Sequence, residues 1–186
     1  MRLEGLVVAD EPATWEALGF ALEDDTVRLG GVAIRLAGRG AGEGIMGWRV
    51  STGMAAGQSP GPTHPNGAIA VDHVVAVTGD LDRSLAAMAE LGEEPRRIRD
   101  AGGGVRQAFF VLETALLELV ASAEGPDRMR LWGMTLVASD IDALGRRLGP
   151  LLGEIRDAVQ PGRRIATLQR EAGVNTRVAF MSPRSG

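Results

Sequence analysis

Residues 68–92 read AIAVDHVVAVTGDLDRSLAAMAELG, and residues 131–153 read LWGMTLVASDIDALGRRLGPLLG. With an offset of 60 residues, Val77, Asp80, Leu81 and Asp82 of the first stretch meet Val137, Asp140, Ile141 and Asp142 of the second. In each, a run of small and β-branched apolar residues leads to an aspartate and then to a pattern of helical period. Asp80 and Asp140 suit a helix N-cap, where a carboxylate accepts from the free backbone N–H groups of the first turn. Behind them Leu81, Leu85 and Met88, and Ile141, Leu144 and Leu148, fall at helical spacing and form one buried stripe. The unit is therefore a strand followed by a capped helix, and it occurs twice.

Outward from this core, three strand-like runs follow each helix. The first set is EPRRIRD, VRQAFFVLE and ALLELVA, with the turn AGGG at 101–104. The second is EIRDAVQ, RRIATLQRE and TRVAFMS, parted by Pro161-Gly162 and by Ala172-Gly173. The first 55 residues fit the same plan in a more degenerate form: strand LEGLVVAD, short helix EPATWEALGF with Pro12 in its first turn, then TVRLG, GVAIRLAG and GIMGWRVS. The expected fold class is α+β, built of tandem βαβββ modules, three per chain. Residues 1–56 form the N-terminal module, 57–69 a Gly/Pro linker, and 70–183 a domain of two modules, 70–122 and 131–183. A sheet with helices on one face needs further cover. The odd third module is therefore expected to pair across a homodimer or to sit outside the C-terminal pair.

Composition narrows the function classes. A net charge of −4 argues against nucleic acid as the main partner. All 20 basic residues are arginine, which suits planar, bidentate recognition of carboxylates. The absence of cysteine excludes disulfides, thiol catalysis and thiolate metal sites. The N-terminal MRLEGLVVADEP is broken by acids and a proline, unlike a secretory signal, and no apolar run approaches the roughly 20 residues that span a bilayer. A cytoplasmic protein with no membrane partner is expected.

On DHVVAVTGDLDRSLAAMAELG, QAFFVLETALLELVA and LWGMTLVASDIDAL the chain resembles the vicinal oxygen chelate superfamily, the group of glyoxalases, bleomycin-resistance proteins and extradiol dioxygenases. The resemblance runs best over 70–183. It implies a cleft between two paired modules with a divalent metal at its floor. One module gives a histidine from its first strand and a glutamate from its last, and its companion supplies an equivalent pair. The metal would be a Lewis acid for isomerisation, addition or oxygen chemistry. The bleomycin-resistance branch has the fold without the metal and sequesters a drug.

Carried onto this sequence, His73 takes the first-strand position and Glu118 the last-strand position, a pair suited to Zn, Mn, Fe or Ni. Their companions are Gly133 and either Ala179 or Phe180, none of which ligates through its side chain. Only half a site is present. The expected arrangement is therefore cofactor-free, with His73 and Glu118 hydrogen-bonded to each other or to a ligand, and a divalent metal is the alternative. Arg106 and Gln107 on the third strand of the middle module, Arg164 at the matching place in the next, and Trp132 are candidate ligand-binding residues; the two arginines are read as a clamp for a carboxylate or phosphate, or as surface residues. His64, between two prolines in PTHPNG, reads as a solvated loop residue. AGRGAGEG (37–44) and DAGGGV (100–105) lack the lysine of a phosphate loop and read as hairpin turns. The expected function is binding of a small organic molecule in the cleft. The alternative is a metal-dependent lyase, isomerase or dioxygenase using His73 and Glu118 as catalytic residues.

Overall fold

A computed structural model describes residues 1–52 and 62–184, so positions 57–61 of the linker lie outside the described residues. The N-terminal unit is β1 (Arg2–Val8), α1 (Pro12–Ala17), β2 (Thr26–Leu29), β3 (Val32–Leu36) and β4 (Ile45–Ser51). The middle unit is β5 (Ala68–Thr78), α2 (Leu81–Glu90), β6 (Arg97–Gly102), β7 (Val105–Val111) and β8 (Leu116–Ala121). The last unit is β9 (Arg130–Ala138), α3 (Ile141–Leu148), β10 (Arg156–Asp157), β11 (Arg164–Thr167) and β12 (Arg177–Met181). The α+β order βαβββ thus recurs three times. No helix among the described residues is long and apolar enough to cross a membrane.

The caps form as the sequence dictates. Asp80 accepts from the Arg83 N–H at 2.9 Å, and Asp140 accepts from those of Asp142 and Ala143 at 3.0 and 2.9 Å. Leu81 and Met88 of α2, and Ile141, Leu144 and Leu148 of α3, are buried on the predicted stripes.

The last two units share one sheet of order β10-β11-β12-β9-β5-β8-β7-β6. In each, the first strand runs parallel to the last, and the units meet along the antiparallel pair β5–β9. Side chains alternate across a strand, so the register sorts the sheet into two faces. Leu117, Val74, Met134 and Val178 line up across neighbouring strands, and with Leu119, Leu136 and Phe180 they form the buried helix-side face. His73, Val75, Leu116, Glu118, Gln107, Gly133, Thr135 and Ala179 share the opposite, open face.

The N-terminal sheet has order β2-β3-β1-β4, a different topology from the same element order. Here β1 pairs in parallel with β3, and β4 lies antiparallel on its other side. β4 takes the place that a companion unit's first strand occupies in the larger sheet. AGRGAGEG is therefore not a hairpin turn. It carries the chain from β3 past the end of β1 through a 3-10 turn, Arg39–Ala41, whose first N–H donates to Glu11 at 2.7 Å. DAGGGV does close a hairpin, β6–β7, with Gly102, Gly103 and Gly104 all at positive φ.

The small sheet packs on the helix-side face, within one continuous core. Phe20 stacks on Phe180 with ring centroids 6.3 Å apart, and Trp15 packs on Phe20 at 4.7 Å. β1 begins beside the β7–β8 turn, where Thr114 Oγ1 donates to the Leu3 carbonyl at 2.6 Å. Beyond its other end the Asp10 carboxylate accepts from the Asn175 and Thr176 N–H groups. His64 is not solvated. It is 3% exposed, with Nδ1 accepting from the Ala21 N–H at 3.0 Å and Nε2 donating to the Arg28 carbonyl at 2.9 Å. The incoming chain buries one backbone donor and one backbone acceptor there, and a neutral imidazole satisfies both.

Candidate functional site

The site is made by an irregularity in β5. Val71 pairs with Leu136 and His73 with Thr135, so Asp72 is an extra residue in a β-bulge. In an unbroken strand Asp72 and His73 would point to opposite faces; a bulge re-aims side chains. As a result Asp72 Oδ2 lies 2.8 Å from His73 Nδ1. Asp72 Oδ1 lies 2.6 Å from Nη1 of Arg163, a side chain only 4% exposed. Arg163 also donates to the Ser182 carbonyl at 2.8 Å and to Gln160 Oε1 at 2.6 Å. Burial pushes the Asp72 carboxyl up, but the hydrogen bonds from His73 and Arg163 outweigh it and hold the group below the usual carboxylate range.

Asp72 orients the His73 ring from Nδ1 at 2.8 Å, and the Thr135 hydroxyl lies 3.1 Å from Nε2. In the neutral imidazole with Nδ1–H donating to Asp72, Nε2 is the acceptor for that hydroxyl. Glu118 Oε2 stands 4.0 Å from the same Nε2. Glu118 Oε1 accepts from Gln107 Nε2 at 2.7 Å, and Gln107 Oε1 accepts from Arg99 Nε at 2.6 Å. A polar chain thus crosses the open face from β6 to the segment before β11. His73, Glu118 and Gln107 share this face, with His73 and Glu118 at 4.0 Å rather than hydrogen-bonded to each other. Asp72, Thr135, Arg99 and Arg163 join them without a sequence signal, because neighbours in a strand are expected to diverge.

Arg106 and Arg164 lie away from this cleft, on the helix side of the sheet. Arg106 pairs in register with Ala121 on the helix side and reaches Asp82 at 3.4 Å. Arg164 makes two bonds to Asp142 at 2.9 and 2.6 Å. Each arginine pairs with the first-turn aspartate of its own unit's helix. The hydrogen bonds from Arg164 hold the Asp142 carboxyl below its usual range.

Beside the polar chain, on the β9–β12 half of the open face, lies a cavity of about 630 Å³. Val75, Thr135, Gly133 and Ala179 form part of its wall, with Trp132 and Arg177 further along. The Arg177 guanidinium sits 5.0 Å from the centre of the Trp132 ring. Thr135 belongs to both features, so one hydroxyl separates His73 Nε2 from the cavity.

No protein-family model and no curated protein sequence matches the chain. Solved structures do. Methylmalonyl-CoA epimerase from Mycobacterium tuberculosis is similar at 20% identity, over 64% of this chain and 91% of that one, with a TM-score of 0.51. Another methylmalonyl-CoA epimerase structure is similar at 18% identity over 63% and 97% of the two chains, with a TM-score of 0.51. A hypothetical protein from Bacillus halodurans is similar at 14% identity over 62% and 95%, with a TM-score of 0.50. The chain has the vicinal oxygen chelate fold. At these identities the likeness concerns the backbone, and the site rests on this chain's own side chains.

The metal centre that the vicinal oxygen chelate fold implies can be tested on the donor set. Val75 pairs with Glu118, and its counterpart Thr135 pairs with Ala179, so Ala179 rather than Phe180 stands opposite Glu118. His73 is matched by Gly133. Two of four positions offer no side-chain donor, and among the described residues no three His, Cys, Asp or Glu side chains converge. The residues do not fit a four-ligand centre. Gly133 has a packing reason to be glycine: a Cβ there would lie 2.9 Å from the Arg177 carbonyl oxygen and 3.1 Å from the Arg177 Cβ. Glu4, the acid near the matching place in the N-terminal unit, accepts instead from Ser51 at 2.7 Å and Arg49 at 3.1 Å.

Proposed function

We propose that the chain binds a small organic molecule in the cleft on the open face of the eight-stranded sheet, without the four-ligand metal centre. The supporting observation is the cavity beside His73, where Gly133 and Ala179 leave space at positions that the fold's metal sites fill with ligands. Clefts of this size with a few convergent polar groups are typical small-molecule sites. The test is an amide-resolved NMR screen with a chemically diverse set of small molecules. Expected are shifts clustered at Val75, Gly133, Thr135 and Ala179; ligands that shift only other amides, or none that shift any, overturn the reading. Elemental analysis of untagged protein tests the metal. Stoichiometric metal that is lost on His73→Ala would restore the metal-dependent reading with His73 and Glu118 as ligands.

One observation favours an enzyme as a second reading. Asp72 on Nδ1 leaves the Nε2 lone pair of His73 to accept a proton, held only by the Thr135 hydroxyl. A substrate proton brought within reach of Nε2 would pass to it, and Asp72 would stabilise the imidazolium. A turnover or proton-exchange assay on any ligand found would then fall by two orders of magnitude or more on His73→Gln, roughly the usual contribution of a general base.

A further inference from the structure

We infer that the cavity is an anion pocket: it takes a planar organic molecule bearing a carboxylate or phosphate, the charge met by Arg170 and Arg177 and the flat body by Trp132. This rests on the small-molecule reading and adds the class of ligand. The first ground is charge. The chain carries 24 acidic residues against 20 basic ones, yet the cavity wall holds two arginines and no aspartate or glutamate. Arg170 and Arg177 line this wall together and neither is in an ion pair among the described residues. Two guanidinium groups in a concave wall without a carboxylate focus a positive potential.

The second ground is geometry. The Arg177 guanidinium carbon lies 5.0 Å from the centre of the Trp132 ring, and a guanidinium held by an aromatic face keeps N–H donors for an oxyanion. Trp132 is 45% exposed, an unusual cost for an indole unless a second surface covers it. The third ground is rigidity. The segment leading into Arg177 is held in place: Asp10 accepts from the Asn175 and Thr176 N–H groups, and Asn175 Nδ2 donates to the Ala9 carbonyl at 3.2 Å. The site is therefore preorganised, which lowers the cost of binding.

The test compares 2-naphthoate with its neutral isostere 2-naphthamide, and both with inorganic phosphate, by titration calorimetry and amide NMR. Naphthoate is expected to bind roughly tenfold or more tighter than naphthamide, and to weaken by a similar factor in Arg177→Gln, as loss of a charged hydrogen bond requires. Arg170→Gln serves as a second variant on an exposed turn, should Arg177→Gln disturb β12. If acid and amide bind equally and shift Gly133, Thr135 and Ala179 alike in all three proteins, the cavity binds small molecules but the anion assignment is wrong. Phosphate binding as tightly as naphthoate overturns the role of Trp132. If no probe shifts a cavity amide, this inference falls, and the small-molecule reading is decided separately by the diverse screen.

Discussion

On the open face, β5 and β8 carry His73, Val75, Leu116 and Glu118, while the matching places in β9 and β12 carry Gly133, Thr135, Arg177 and Ala179. On the helix-side face the same strands carry Val74, Ala76, Leu117 and Leu119 against Met134, Leu136, Val178 and Phe180, all apolar and buried. One backbone plan therefore holds two kinds of surface. The buried face repeats because burial of apolar area is what stabilises each unit. The open face is free of that demand, and the halves diverge there: one holds a polar chain and the other a cavity. The proposed binding site lies in the asymmetry between two copies of one unit.

The largest expected effect breaks the polar half. Asp72→Asn leaves Arg163 with its charge buried and its partner neutral, and offers one acceptor oxygen where Arg163 and His73 use two. A loss of about 3–5 kcal/mol is expected in urea unfolding at pH 7, as for other buried pairs that lose one member. The pH dependence follows from the depressed carboxyl. A group whose pKa is lower in the folded state contributes stability above its unfolded value, about 3.9, and loses it as pH falls through the folded value. The gap between wild type and Asp72→Asn therefore narrows below about pH 4; a gap constant down to pH 2 would disprove this account.

Gly133→Ala tests the other half. Its Cβ meets backbone at 2.9 Å, and β9 or β12 must shift to admit it. A cost of roughly 1–3 kcal/mol in thermal or urea unfolding is expected, the usual range for overpacking. For the same reason Gly133→His should destabilise the sheet without creating a metal site, checked by metal content after dialysis. A stable Gly133→His variant with stoichiometric metal would show the two halves to be closer than described.

The smallest effect compares the two helix caps. Asp140 accepts two backbone N–H groups and Asp80 one. Alanine at either position should cost about 1 kcal/mol, with Asp140→Ala the larger. Urea midpoints of the two variants at neutral pH give the comparison.

Much of the frame was legible because it is local. Helical spacing behind Asp80 and Asp140, alternation in ALLELVA and turn residues such as AGGG act over a few residues, and the element order could be read from them. The repeat also exposed Gly133 as the gap in the metal site. Residues 1–56 keep the βαβββ element order in a strand order of their own, which could not be read because nothing local to GIMGWRVS says on which side of β1 it will pair.

From the sequence alone came the α+β class, the βαβββ repeat and the caps. Tertiary structure decided the rest: the bulge that turns Asp72 toward His73, the register that sets Ala179 opposite Glu118, and the rotation of Arg106 and Arg164 toward the helices. It also buried His64 and gathered Arg170, Arg177 and Trp132 around one cavity. Propensity and periodicity act between near neighbours, whereas strand register is fixed by contacts between residues far apart in the chain. A one-residue shift in that register moves a side chain to the other face of the sheet.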